Sequence, residues 1–139
     1  MTGIVVDAST ALAWCFPDEA SEYADGILVS LEKKTMLVPA VWSLEITNAF
    51  LVGERKKRLT QPDIKLFLSL IESLSFVEDV QSVGNNVRNV FPLAREYGLT
   101  AYNASYLELA IRHRVPLATL DGKLRNAAKQ AGVLICQVR

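Results

Sequence analysis

GIVVDAST, residues 3–10, places three β-branched aliphatic residues, Ile4, Val5 and Val6, directly ahead of an aspartate. A strand that is apolar on both faces belongs inside a parallel sheet covered by helices on both sides. An acid directly after such a strand lies at the carboxyl edge of the sheet, where open α/β folds place their functional crevice. This stretch therefore predicts a fold class and points to one edge of it.

Working outward, short β-branched runs alternate with longer helical patterns. A helix is expected from 21 to about 34, with Ala24, Ile27, Leu28 and Leu31 at i, i+3, i+4 and i+7. Met36 to Val38 make a second strand, ended by Pro39. Helices are expected from about 42 to 58 and from 60 to about 74, the latter opened by Thr60 ahead of Pro62 and Asp63. A short strand follows near 76–80, then a helix over 83–97 stopped by Gly98. The stretch LTAYNASYLELAI, 99–111, starts a helix that runs to about 114, with Thr100 as its N-cap. A strand over 117–120, a helix over 122–131 and a final strand over 133–138 complete the chain. This order predicts an α/β sandwich with a mostly parallel sheet. The 139 residues contain no repeat, low-complexity tract or linker, so one domain spanning 1–139 is expected.

Lys and Arg number 15 and Asp and Glu number 15, so no global basic field advertises nucleic acid, and any such binding must rest on local patches. Cys15 and Cys136 have neither metal-pair spacing nor the density of a disulfide scaffold, and read as free thiols of a reducing compartment. No apolar run reaches the roughly 20 residues needed to span a bilayer. The N-terminus lacks a basic region, and Asp7 interrupts its apolar run, so a cytoplasmic protein is expected.

Asp7 and Asp121 each follow a predicted strand and should project from the same sheet edge. Taken singly, each also reads as an ordinary turn or helix-capping residue. Glu45, in the first turn of its predicted helix, shares a face with Asn48, Ala49 and Val52; favourable interaction with the helix N-terminus is the plainer account of it. Asn103 heads a buried stripe continued by Tyr106, Leu107 and Ala110. Asp7, Glu45, Asn103 and Asp121 can thus converge on one point. Gathered carboxylates repel one another unless a cation neutralises them. Oxygen donors without His or Cys select hard ions such as Mg²⁺ or Mn²⁺, which suit phosphodiester hydrolysis.

At these residues the chain resembles the PIN-domain family, and within it the VapC-type toxins of toxin–antitoxin pairs. The resemblance is carried by VVDAST around Asp7, PAVWSLEITNAF around Glu45, LTAYNASYLELA around Asn103 and LATLDGKL around Asp121. It implies a three-layer sandwich and a Mg²⁺- or Mn²⁺-dependent endoribonuclease acting on tRNA or rRNA. It also implies a homodimer and a cognate antitoxin laid along the groove. Asp7, Glu45 and Asp121 match the family's metal-binding acids, and Ser9 and Thr119 match small hydroxyl positions that hold those acids or a metal-bound water. Asn103 departs from the pattern, which has aspartate there as a metal ligand. An amide oxygen is a neutral and weaker donor, which leaves two readings open: a weakened or silenced nuclease, or a degenerate relative that binds RNA or antitoxin without turnover. Whether the amide is natural or was introduced is open at this level.

Other features have two readings each. ERKKR, 54–58, and Arg112–Arg114 are either solvated helix ends or RNA-backbone contacts. His113, the only histidine, reads as a surface residue. Trp14, Phe16 and Tyr102 serve either base stacking or packing. The predicted helix pair over 42–74 is more apolar than one small sheet requires, which suits contact with a second chain.

Overall fold

The computed structural model describes residues 2–138. Its sheet has four parallel strands in the order β3-β2-β1-β4, with β1 at Gly3–Val6, β2 at Thr35–Pro39, β3 at Phe76–Asp79 and β4 at Leu117–Ala118. Central β1 pairs on one side with β2, Val5 opposite Leu37, and on the other with β4, Val5 opposite Leu117. Ile4, Val5 and Val6 are fully buried, as a strand covered on both faces must be. The sheet is wholly parallel, so all carboxyl ends share one edge.

Among the described residues, seven α-helices surround it: α1 (Ala8–Ala13), α2 (Glu22–Ser30), α3 (Val41–Arg55), α4 (Gln61–Glu72), α5 (Val83–Tyr97), α6 (Ala101–His113) and α7 (Gly122–Gln130). α6 packs on β1 and β2 and connects to β4, while α1 lies against α2 and α3. Gly98 ends α5 in the left-handed region at φ 64°, and Thr100 caps α6, as the sequence predicts. Thr60 and Asp63 form a reciprocal capping box at the start of α4.

Several elements differ from the sequence reading, among them the strand expected over 117–120, which is β4 at Leu117–Ala118 alone. α1 was not expected: six residues are too few to show a helical period or to be stable alone, and the helix depends on its Asp7 cap and its packing. The helix expected over 21–34 ends at Ser30 and tightens into a 3-10 turn over Leu31–Lys33. The strand expected over 133–138 is reduced to a single bridge, Ile135 opposite Leu117. It lies beyond β4, which has only two residues, and Leu117 alone exchanges backbone bonds with it, donating to Leu134 and accepting from Cys136.

Packing is tightest where α3 crosses the residues after α1. A Cβ on Gly53 would stand 2.6 Å from the Phe16 ring, and the Arg58 guanidinium lies over that ring at 4.6 Å. Arg58 also pairs with Asp18 and Glu19, so the last cation of ERKKR serves structure; α3 itself ends three residues earlier, at Arg55.

Candidate functional site

Asp7 ends β1 and caps α1, its carboxylate accepting the Thr10 N–H at 3.0 Å. The plain capping reading of this acid is therefore correct, and capping fixes the side chain at the sheet edge. Asp7 is only 3% exposed. Its Oδ1 also accepts the Thr10 hydroxyl at 2.9 Å, Oδ2 accepts the Thr119 hydroxyl at 2.5 Å, and the Ser9 hydroxyl lies within 2.9 Å of both oxygens.

Two of these hydroxyls are oriented from behind. Ser9 Oγ accepts the Leu120 N–H at 3.1 Å, and Thr119 Oγ1 accepts the Asp121 N–H at 2.9 Å. Since a backbone N–H can only donate, each hydroxyl is left to direct its own proton at Asp7. Burial pushes the Asp7 carboxyl above its ordinary range; the donors, Thr119 foremost, pull it part of the way back.

Glu45 is the fifth residue of α3, at the start of its second turn rather than in the first, and is half-buried. Of the companions expected on its face, Ala49 and Val52 are partly buried and Asn48 is exposed. Its Oε1 accepts the Tyr106 hydroxyl at 2.6 Å, while Oε2 has no partner among the described residues. Burial raises the Glu45 carboxyl, and the Asp7 charge raises it further, against the pull of Tyr106. Tyr106 supplies that hydroxyl from α6. It is 1% exposed, and its hydroxyl donates to Glu45.

Asp121 caps α7, accepting the Leu124 N–H at 2.8 Å, and is tied to Asp7 through Thr119. Behind it, Arg125 donates to the Thr119 carbonyl at 2.8 Å and lies over the Tyr23 ring. Asn103 is partly buried on α6, one turn ahead of Tyr106. Its backbone N–H is capped by Thr100 at 3.1 Å, and its side-chain amide bonds no described residue.

The structure thus couples Asp7 to Glu45 through their charges, and Asp7 to Asp121 through a shared hydroxyl. It does not assemble a finished metal cage: among the described residues, no three His, Cys, Asp or Glu side chains stand ready to share one ion. The donor chemistry nonetheless fits a hard divalent cation. The donors are all oxygens, burial lifts both Asp7 and Glu45 and the Asp7 charge lifts Glu45 further, strain that a cation would relieve, and Glu45 Oε2 has no partner among the described residues.

Sequence reasoning missed Thr10, Tyr106 and Arg125. The signals were present: Thr10 stands three residues after a capping acid, and Tyr106 three after Asn103, but both read equally as packing. Phe16 is core, and the Trp14 indole N–H is spent on the Ala24 carbonyl, which leaves Tyr102 the exposed ring of the three candidates. Arg112 and His113 both bind Asp79, at 2.7 Å and 2.9 Å. Leu44, Leu51, Leu66 and Leu68 are exposed along α3 and α4, whereas Phe67 is buried against Phe50.

A PIN domain match covers residues 4–130. Ribonuclease VapC3 from Pyrobaculum aerophilum is 29% identical over 121 residues, which are 87% of this chain and 91% of that protein. The crystal structure of PAE2754 from the same organism superposes with a TM-score of 0.68 at 26% identity, covering 96% of this chain and 83% of that one. VapBC2 from Rickettsia felis, solved bound to a promoter DNA fragment, superposes at 0.63 with 10% identity over 99% and 100% of the two chains. FitAcB from Neisseria gonorrhoeae does so at 0.58 with 16% identity over 96% of each. The last two are similar in fold.

Proposed function

The chain belongs to the PIN-domain family, and from that premise we propose that it is a metal-dependent endoribonuclease, the toxin of a toxin–antitoxin pair. The ribonuclease relative supports the activity, and the VapBC2 and FitAcB structures support an antitoxin as partner. The observation that carries the reading is the pair Asp7 and Glu45: two acids kept near each other against burial and repulsion, each held by a hydroxyl aimed at it.

Asp7 and Glu45 hold the cation, Mg²⁺ or Mn²⁺, with Asp121 and the Asn103 amide as further oxygen donors. When bound, the ion supplies charge compensation and Lewis acidity toward water and phosphate. Ser9, Thr10 and Thr119 keep the Asp7 carboxylate in place and donate to its charged form. RNA, tRNA or rRNA by resemblance, meets the site at the sheet edge, where Tyr102 is exposed beside Asn103. The exposed leucines of α3 and α4 suit a second copy or the antitoxin.

Asn103 specifically favours a second reading, a PIN domain that binds RNA or antitoxin without turnover. Mn²⁺-dependent cleavage of total tRNA, with Asp7→Asn as blank, separates the two. Cleavage by the chain, or by its Asn103→Asp variant alone, supports the nuclease, the second outcome marking the amide as the silencing change. RNA or antitoxin binding with no cleavage by either supports the binding protein.

A further inference from the structure

We infer that Tyr106 is a positioning residue that makes Glu45 a one-oxygen donor, and so sets the site's preference for small octahedral cations over Ca²⁺. This rests on the cation-binding reading above. The hydroxyl donates to Glu45 Oε1 at 2.6 Å, within the range of bonds to a charged acceptor, and Oε2 is left without a partner among the described residues. Tyr106 is buried, so the hydroxyl cannot swing aside as a surface group would.

A carboxylate with one oxygen held in a short charged hydrogen bond offers the other more readily, which favours one-oxygen binding over chelation. Mg²⁺ and Mn²⁺ accept single oxygens in near-ideal octahedra, whereas Ca²⁺ takes more ligands and commonly chelates both oxygens of a carboxylate. Through Glu45, Tyr106 therefore acts on ion choice without touching the ion. Because Tyr106 follows Asn103 by one turn of α6, any shift of that helix moves the amide donor and the Glu45 anchor together.

The test is calorimetric titration of Mn²⁺, Mg²⁺ and Ca²⁺ into the parent, Tyr106→Phe, Glu45→Gln and the double variant, with thermal melts as folding control. Tyr106→Phe should lower Mn²⁺ and Mg²⁺ affinity by roughly 10-fold, the scale of outer-shell substitutions at metal sites. Ca²⁺ affinity should hold or rise, and Tyr106→Phe should have no effect in the Glu45→Gln background. Should Tyr106→Phe melt, Glu45→Asp draws the acid away from the hydroxyl with its charge intact and should shift the ion preference in the same direction. If the parent binds Mn²⁺ and neither variant alters the preference, the inference fails while the cation reading stands. If neither the parent nor Asn103→Asp binds a divalent ion, the underlying reading fails.

Discussion

The Thr119 hydroxyl joins Asp7 to Asp121, donating to Asp7 Oδ2 at 2.5 Å and accepting the Asp121 N–H at 2.9 Å. Ser9 makes the same kind of link between Asp7 and Leu120. The turn between β4 and α7 is thereby latched to the end of β1 by side chains, where β4 itself supplies only two residues of ladder.

Thr119→Val keeps the shape of the side chain and removes both of its bonds, leaving the Asp121 N–H and an Asp7 lone pair unmet. Unsatisfied buried groups of this kind cost about 1–3 kcal/mol. Urea unfolding should show a loss of that size, and Thr119→Ser should recover most of it.

The raised carboxyl of Glu45 predicts an unusual slope of stability with pH. Between the ordinary value of 4.5 and its higher folded value, the folded state binds more protons than the unfolded one. Its contribution to stability is therefore complete below the ordinary value and is lost as pH rises through the folded one. Without metal, Glu45→Gln should be more stable than the parent at neutral pH, with the gap closing as pH falls. Mn²⁺ should reverse the order at neutral pH, because the ion stabilises only the charged form. Melting curves across pH, with and without Mn²⁺, check both signs.

Asp79 carries the opposite sign. Arg112 grips it with two nitrogens, at 2.7 Å and 3.0 Å, and holds its carboxyl far below the usual range, with His113 and Gln81 adding bonds. Its contribution is full above the ordinary 3.8 and is lost as pH falls toward the folded value. Asp79→Asn should destabilise by roughly 1–3 kcal/mol at neutral pH, and parent and variant should converge in strong acid.

Gly53→Ala tests whether packing overrides helix propensity. Alanine is better than glycine within a helix by about 1 kcal/mol, yet its Cβ would enter the Phe16 ring, which is buried with Arg58 over it. Overpacking of about 1–3 kcal/mol should prevail, and the melting temperature should fall. A rise would mean that the ring yields.

What the sequence determined by itself is local or periodic. A run of β-branched residues gave the central strand, and Gly98 and Thr100 bounded two helices, because left-handed backbone and unpaired amides favour those residue types. Asp7, Glu45, Asn103 and Asp121 were legible as site candidates because strand ends and helix starts lie at the sheet edge. Tertiary structure decided the rest. It cut the last strand to one bridge, since its neighbour offers two residues, and it gave α1 the packing that six residues cannot supply alone. It also paired Tyr106 with Glu45 across 61 positions and Thr119 with Asp7 across 112. A hydrogen bond between distant elements leaves no period or spacing in the chain, because its geometry exists only once the strands have set both partners side by side.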